Sequence, residues 1–147
     1  MSDKPILLVE DNPDDEELTR RAFQTAKVAN ELIVARDGAE ALDYLFGSGK
    51  PAGCNERVVP MIILLDLNLP KVGGLEVLRR VRSDPRTRLI PVIILTSSKE
   101  DDDRLKGYGL GANSYVRKPV AFEEFAAAVK HLGLYWLVIN EPPPEPA

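Results

Sequence analysis

The chain has 147 residues and a net charge of −4, with 44% hydrophobic and 29% charged residues, which is enough material for one globular domain with its own core. The acidic balance argues against nucleic acid as the main partner, because phosphate backbones recruit basic surfaces, and a single cysteine excludes an internal disulfide. No apolar run is long enough to span a bilayer and the first residues do not lead into a signal peptide, so we expect a cytoplasmic protein with no membrane partner.

Strand-like and helix-like segments alternate from the start of the chain. Ile6–Val9 is an apolar run typical of a buried strand. Asn12–Asp15 has the features of a helix start, namely a capping side chain, a first-turn proline and acids that favour the positive end of the helix dipole. A second strand is predicted at Leu32–Ala35 and a second helix from Gly38, whereas the glycines and prolines between 47 and 60 predict a long loop.

The same alternation continues through the middle of the chain. A third strand is predicted at Met61–Leu65, and a third helix begins at about Leu75 and ends at Asp84, which precedes a proline. We expect the arginines at 79, 80 and 82 to lie on the exposed side of that helix. Val92–Leu95 is the fourth strand, and Ser98 with an acid three residues later resembles a capping box that opens a polar fourth helix.

The last part of the chain adds one more strand and helix. Ser114–Val116 is a short fifth strand, and an amphipathic helix follows from Phe122 through Trp136 and Leu137. The proline-rich residues 141–147 are expected to form a disordered tail. Five strand–helix units in one domain, residues 1–140, predict an α/β fold with a doubly wound five-stranded parallel sheet.

Reactive side chains follow the predicted strands at one edge of this sheet. Glu10 and Asp11 come after the first strand, Asp66 after the third, Thr96 after the fourth and Lys118 after the fifth. Taken singly, each residue also has an ordinary structural explanation, since acids stabilise helix starts, threonine favours strands and most lysines are solvated. Together, three carboxylates in one crevice repel each other unless a cation is present, which favours a site for Mg²⁺ and phosphate.

Four separated motifs point to one family. Val9-Glu10-Asp11-Asn12, Leu65-Asp66-Leu67-Asn68-Leu69-Pro70, Leu95-Thr96-Ser97 and Lys118-Pro119 occur in order and at intervals similar to those of that family. From Pro5 to about Leu137 the chain resembles the receiver domain of two-component response regulators. The resemblance implies a (βα)5 flavodoxin-like (CheY-like) fold with strand order 2-1-3-4-5.

The resemblance also implies a role for each site residue. Asp66 is the expected phosphoacceptor, and the expected contacts of the phosphoryl group are Thr96 and Lys118. Mg²⁺ is then held by Glu10, Asp11, Asp66 and the backbone carbonyl of Asn68.

Three further features follow from the resemblance. Tyr115 matches the aromatic switch position that responds to Thr96, although it also reads as an ordinary sheet-edge aromatic. The Lys118–Pro119 bond is expected to be cis. The chain has Gly73-Gly74 where the family commonly has Asp-Gly, and this departure removes no site ligand.

These features predict a stand-alone switch that is phosphorylated by a sensor histidine kinase, and not an enzyme beyond slow autodephosphorylation. Its output surface is the fourth helix, fifth strand and fifth helix, and we hypothesise a homodimer through this face and the apolar end of the last helix, with Tyr135 and Trp136. The long loop and chain ending resemble single-domain regulators paired with bacterial phytochromes. Two alternatives stay open, namely a pseudo-receiver that is never phosphorylated and a Mg²⁺-dependent aspartyl phosphohydrolase, which typically has an acid at the Asn68 position.

Overall fold

Five parallel strands form one sheet in the order β2-β1-β3-β4-β5. The computed structural model describes residues 4–47, 59–97, 101–118 and 122–143. The strands are β1 Ile6–Val9, β2 Leu32–Ala35, β3 Ile62–Leu65, β4 Val92–Thr96 and β5 Ser114–Arg117. The doubly wound α/β fold and the strand order implied by the resemblance are both confirmed.

Helices connect each strand to the next and cover both faces of the sheet. They are α1 Pro13–Thr25, α2 Gly38–Phe46, α3 Gly74–Ser83, α4 Asp101–Gly109 and α5 Phe122–Gly133. A π-helical segment, Leu134–Ile139, follows α5 without a break. The last helix therefore continues through Trp136 and Leu137 as predicted, but in the wider π form, which periodicity did not indicate.

The predicted start of α1 is confirmed in detail. The Asn12 side chain accepts hydrogen bonds from the backbone N–H groups of Asp14 and Asp15, at 2.9 and 3.3 Å. Pro13 occupies the first helical position, where a missing N–H costs nothing. Because only three residues separate the end of β1 from the start of α1, the first turn of α1 lies at the carboxyl edge of the sheet.

Successive side chains of a strand point to opposite faces of the sheet and pack into two separate hydrophobic cores. Leu7 and Val9 of β1 face the core covered by α2 and α3, whereas Ile6 and Leu8 face the core covered by α1 and α5. All of β1, β3 and β4 is buried, as expected for parallel strands covered on both faces. The sheet interior is therefore rigid, and the polar groups at its carboxyl edge are fixed to it.

One arginine of α3 contradicts the sequence interpretation. Arg79 and Arg80 are exposed as predicted, but Arg82 turns towards the end of α3. It donates hydrogen bonds to the carbonyls of Gly111 (2.9 Å), Arg88 (3.0 Å) and Ile90 (2.8 Å) and to Oδ1 of Asn113 (2.8 Å). The prediction was wrong because a charged side chain in the last turn of a helix can satisfy loop carbonyls that the sequence pattern does not reveal.

Several expectations concern residues outside the described ranges. These are the capping role of Ser98, the isomer of the bond to Pro119, the loop residues 48–58 and the tail residues 144–147. Within the described ranges, no helix combines the length and apolarity needed to cross a membrane.

Candidate functional site

The predicted site residues meet at the carboxyl edge of the sheet. Glu10 and Asp66 follow the adjacent strands β1 and β3, which pair with Val9 opposite Leu65. Thr96 ends β4. Glu10 is 2%, Asp66 6% and Thr96 0% exposed, so all three are fixed in the protein interior. Open α/β sheets bind their ligands at this edge, outside the carboxyl ends of the strands.

Lys118, directly after β5, brings the positive charge. Its ammonium donates to Oε1 of Glu10, to Oδ2 of Asp15 at 2.9 Å and to Oδ2 of Asp66 at 3.1 Å. Its backbone N–H donates to the carbonyl of Thr96 at 2.7 Å, which ties the residue to β4. Three carboxylate acceptors match the three N–H donors of an ammonium group, so the hydrogen-bonding capacity of Lys118 is saturated.

The site contains more carboxylate groups than positive charges, since the single Lys118 ammonium contacts three carboxylates. Burial raises the pKa of Glu10 to about 7, because loss of hydration outweighs the hydrogen bond and charge of Lys118, and the nearby Asp66 adds to the increase. Burial also acts to lower the pKa of Lys118, but hydrogen bonds to Asp15 and Glu10 and the charge of Asp66 outweigh it, so the pKa is raised. The ammonium therefore stays charged, and a further cation would relieve the remaining repulsion.

A group of three carboxylates has the donor chemistry of a metal site. Glu10, Asp11 and Asp66 each offer an oxygen, and these oxygens lie within 4.8 Å of one another. Hard oxygen ligands of this kind suit Mg²⁺ and similar cations. Asp11 is exposed and opens the group to solvent. The backbone N–H of Asn68 donates to Oδ1 of Asp66 at 3.3 Å, which orients the aspartate, while the predicted ligand role of the Asn68 carbonyl stays a prediction.

The turn after β3 packs tightly against the backbone of Asp66. A Cβ on Gly74 would lie 2.2 Å from the Asp66 carbonyl oxygen, whereas a Cβ on Gly73 would meet no atom within 4 Å. The N–H of Gly74 donates to the carbonyl of Leu67 at 3.1 Å and closes the turn. Close approach to Asp66 therefore requires glycine at position 74 but not at position 73, and the unusual Gly73 leaves the turn intact.

Tyr115 lies on β5 next to Ile94 of β4, with its ring packed against the core under α2 and α3. The Tyr115 ring is 6.5 Å from that of Tyr108 on α4. Its hydroxyl oxygen is buried and has no hydrogen-bond partner within the described part of the chain. The packing interpretation is therefore supported, and the predicted coupling to Thr96 remains untested.

Sequence reasoning missed Asp15. It was interpreted only as one of the acids that favour a helix start, yet its carboxylate contacts Lys118. Helix-start acids look alike in a sequence, and the only available signal was that α1 begins at the same sheet edge as the other site residues.

Comparison with known proteins identifies the family. The sequence model of the response regulator receiver domain family matches residues 6–130 of this chain. The chain belongs to the response regulator receiver domain family. Among curated members, this receiver domain is 43% identical over 141 residues to the probable methanogenesis regulatory protein FilR2 of Methanothrix harundinacea, covering 94% of this chain and 86% of FilR2. It is 37% identical over 134 residues to the response regulator Rcp1 of Synechocystis, covering 91% of this chain and 89% of Rcp1.

Solved structures of receiver proteins superpose along almost the whole chain. The phosphorylated cyanobacterial phytochrome response regulator RcpA has a TM-score of 0.87 at 39% identity, covering 96% of this chain and 99% of RcpA. The Mn²⁺-bound form of Rcp1 has a TM-score of 0.86 at 36% identity, with the same coverage. The bacteriophytochrome response regulator RtBRR is 56% identical with a TM-score of 0.75, covering 97% of this chain and 86% of RtBRR. The relatives thus include single-domain regulators associated with phytochromes.

Proposed function

We propose that this chain is a stand-alone response regulator that accepts a phosphoryl group on Asp66 from a sensor histidine kinase. The observation that carries the proposal is the buried Asp66 carboxylate, held 3.1 Å from the Lys118 ammonium beside a group of metal-type oxygens. The chain covers 86% of FilR2 and 89% of Rcp1, which supports a regulator without a large output domain.

The chemistry follows from the placement of the groups. An Asp66 oxygen attacks the phosphorus of a phosphohistidine, so that a P–O bond forms as the P–N bond breaks and the imidazole leaves with the bonding pair. Lys118 neutralises charge on the phosphoryl oxygens, and the Thr96 hydroxyl donates to one of them. A Mg²⁺ ion at Glu10, Asp11, Asp66 and the Asn68 carbonyl supplies charge neutralisation when it is bound. The Mn²⁺-bound structure of Rcp1 supports a divalent cation.

Phosphorylation then shifts the protein between two states. Thr96 and Lys118 move towards the phosphoryl group, Tyr115 follows, and the surface of α4, β5 and α5 changes its affinity for a partner. The Tyr115 hydroxyl supports this step, because it is buried without a hydrogen-bond partner among the described residues, and such a group costs about 1–3 kcal/mol and favours an alternative position.

The proposed kinase is a bacteriophytochrome, because RcpA is a phytochrome response regulator and RtBRR, which is 56% identical to this chain, is a bacteriophytochrome response regulator. The proposal places the pair in the cytoplasm, with no nucleic acid or membrane partner and no catalysis beyond slow autodephosphorylation. The proposed receiver domain comprises residues 1–140, and the proline-rich residues 141–147 lie outside it.

A homodimer through the face of α4, β5 and α5 and the last helix completes the proposal. Leu134, Tyr135 and Ile139 are 51%, 49% and 60% exposed on the π-helical segment. Trp136 packs instead against the core under α1 and α5, so its truncation would also perturb that core. The cleaner test is the solution mass of Tyr135→Ser beside wild type. Unchanged association at matched concentrations would count against this interface.

Phosphate incorporation tests the central claim. The chain is incubated with Mg²⁺ and acetyl phosphate, and we expect an acid-stable, base-labile phosphate that Asp66→Asn abolishes. Asp14→Asn is the matched control, since it removes the same charge from an exposed carboxylate close to the site. Absence of phosphate with both acetyl phosphate and a cognate kinase would favour the pseudo-receiver. Turnover of a phosphomonoester at enzyme-like rates would favour the hydrolase.

A further inference from the structure

Asp15 differs from the other partners of Lys118 because it lies outside the metal-type carboxylate group. That group consists of Glu10, Asp11 and Asp66. A cation or a phosphoryl group at the site would use the oxygens of Glu10 and Asp66, which are two of the three acceptors that hold the ammonium. The third acceptor, Oδ2 of Asp15 at 2.9 Å, does not belong to that carboxylate group.

The start of α1 directs the Asp15 carboxylate to this position. Asp15 is the third residue of α1, and an acid there commonly accepts a hydrogen bond from the N–H of the capping residue. Here the N–H of Asn12 donates instead to Oε2 of Glu10 at 3.2 Å. The hydroxyl of Thr19 also donates to the Asp15 carbonyl at 2.8 Å, which fixes its backbone. The Asp15 carboxylate is therefore not used by the N–H of the capping residue and reaches across to Lys118.

We propose that Asp15 is a positioning residue that keeps the Lys118 ammonium beside Asp66 while Glu10 and Asp66 engage other ligands. This inference rests on the proposed function. Lysine has a flexible four-carbon side chain with three rotatable donors. One donor on Asp15 leaves two for Asp66 and the phosphoryl oxygens, so the ammonium enters the reaction already oriented.

Phosphorylation kinetics test the role. With acetyl phosphate at saturating Mg²⁺, we expect Asp15→Asn to slow phosphorylation about tenfold, since one charge-assisted hydrogen bond is lost. Asp14→Asn makes the same charge change in the same helical turn and is expected to stay within about twofold of wild type. Asp15→Glu restores a carboxylate and should recover part of the rate.

A double-mutant cycle separates positioning from a general charge effect. If Asp15 acts through the ammonium, Asp15→Asn causes no further loss in a Lys118→Gln background. Losses that multiply in the double variant, or an Asp15→Asn rate equal to that of Asp14→Asn, would overturn the inference. Urea unfolding of each variant shows that the compared proteins are folded.

A measurement that does not involve phosphate tests the role of Asp15 separately from the phosphorylation of Asp66. In nitrogen-15 NMR spectra recorded with and without Mg²⁺, we expect the ammonium protons of Lys118 to exchange slowly with water in wild type and in Asp14→Asn. They should exchange several-fold faster in Asp15→Asn, and equal exchange in all three proteins would overturn the anchoring role. A wild-type chain that takes up no phosphate would defeat the proposed function, while the NMR comparison would still decide the role of Asp15.

Discussion

Asp66→Asn is expected to stabilise the metal-free protein while abolishing phosphorylation. Asp66 is 6% exposed, and its carboxylate lies in a group that holds more negative than positive charge. The substitution nearly preserves the shape of the side chain and removes one charge. The sign of its effect therefore depends on whether attraction to Lys118 exceeds the combined cost of repulsion and burial.

The distances give the magnitude at pH 8, where Glu10, whose pKa is raised to about 7, is mostly ionised. Attraction to the Lys118 ammonium at 3.1 Å is about 5 kcal/mol at an effective dielectric constant near 20. Repulsion from ionised Glu10 within 4.8 Å is at least about 3.5 kcal/mol, and the exposed Asp11 adds about 1 kcal/mol in solvent. Burial of the Asp66 carboxylate costs several kcal/mol more, and Lys118 keeps two other partners. We therefore expect Asp66→Asn to raise the free energy of unfolding by about 1–2 kcal/mol.

Urea unfolding in chelator and in 10 mM Mg²⁺ measures this effect. In chelator, Asp66→Asn should have the higher midpoint, whereas Asp14→Asn should be unchanged or slightly lower because it loses a favourable helix-dipole charge. In Mg²⁺ the gap should narrow, since a cation that binds the folded wild type stabilises it and the variant lacks one carboxylate. A metal-free Asp66→Asn less stable than wild type by about 1 kcal/mol or more would refute this electrostatic balance.

Two further predictions concern stability away from the acidic group. Gly73→Asp should raise the thermal midpoint by about 1–2 °C, because Gly73 caps α3 without a side-chain hydrogen bond and its Cβ position is open. Gly74→Ala, which would place a Cβ 2.2 Å from the Asp66 carbonyl, should lower it, and equal midpoints for the two variants would contradict this view of the turn. Arg82→Met should cost about 2–3 kcal/mol in urea unfolding, because three loop carbonyls lose the Arg82 donor and Oδ1 of Asn113 keeps only the N–H of Val92 among the described residues. Arg80→Met, which removes an exposed ion pair, is the control and should cost about 0.5 kcal/mol or less.

The sequence predicted the strands and the placement of most candidate site residues, because buried parallel strands are continuous apolar runs with polar residues at their ends. Asp66 could be placed at the sheet edge because five apolar residues precede it. The strand ends differ by single residues, since β3 begins at Ile62 and β4 extends to Thr96. Backbone hydrogen bonds between neighbouring strands determine those ends, and the hydrophobic pattern of the sequence does not reveal them.

The features that the sequence did not predict depend on contacts between distant segments. Asp15 and Lys118 are 103 positions apart in the sequence, and nothing in the sequence around an acid at a helix start indicates so distant a partner. Arg82 was expected on the exposed side of α3 together with Arg79 and Arg80, yet its partners lie in two loops that only tertiary structure brings together. Charged residues are thus predicted least well, since one residue type serves both solvation and specific hydrogen bonding.

Within the described residues, helix α4 of the proposed output face exposes more large apolar side chains than α1 does. In α4, Leu105 and Tyr108 are 72% and 50% exposed, whereas α1 buries Thr19, Ala22 and Phe23. A helix with little buried apolar surface opens at low free energy, and switching elements are drawn from this class. Opening α4 would also uncover Tyr115, whose hydroxyl lacks a partner among the described residues.

Native-state hydrogen exchange measures this difference directly. We expect the amides of α4 to open with a free energy at least about 2 kcal/mol below that of the central amides of α1, because α4 has less apolar surface to expose. Phosphorylation with acetyl phosphate should change protection in α4 and β5 more than in α1, as a population shift at that face requires. Equal protection of α1 and α4 before phosphorylation would show that packing does not predispose this face to switch. Unchanged protection of α4 after phosphorylation would instead place the output surface elsewhere on the receiver domain.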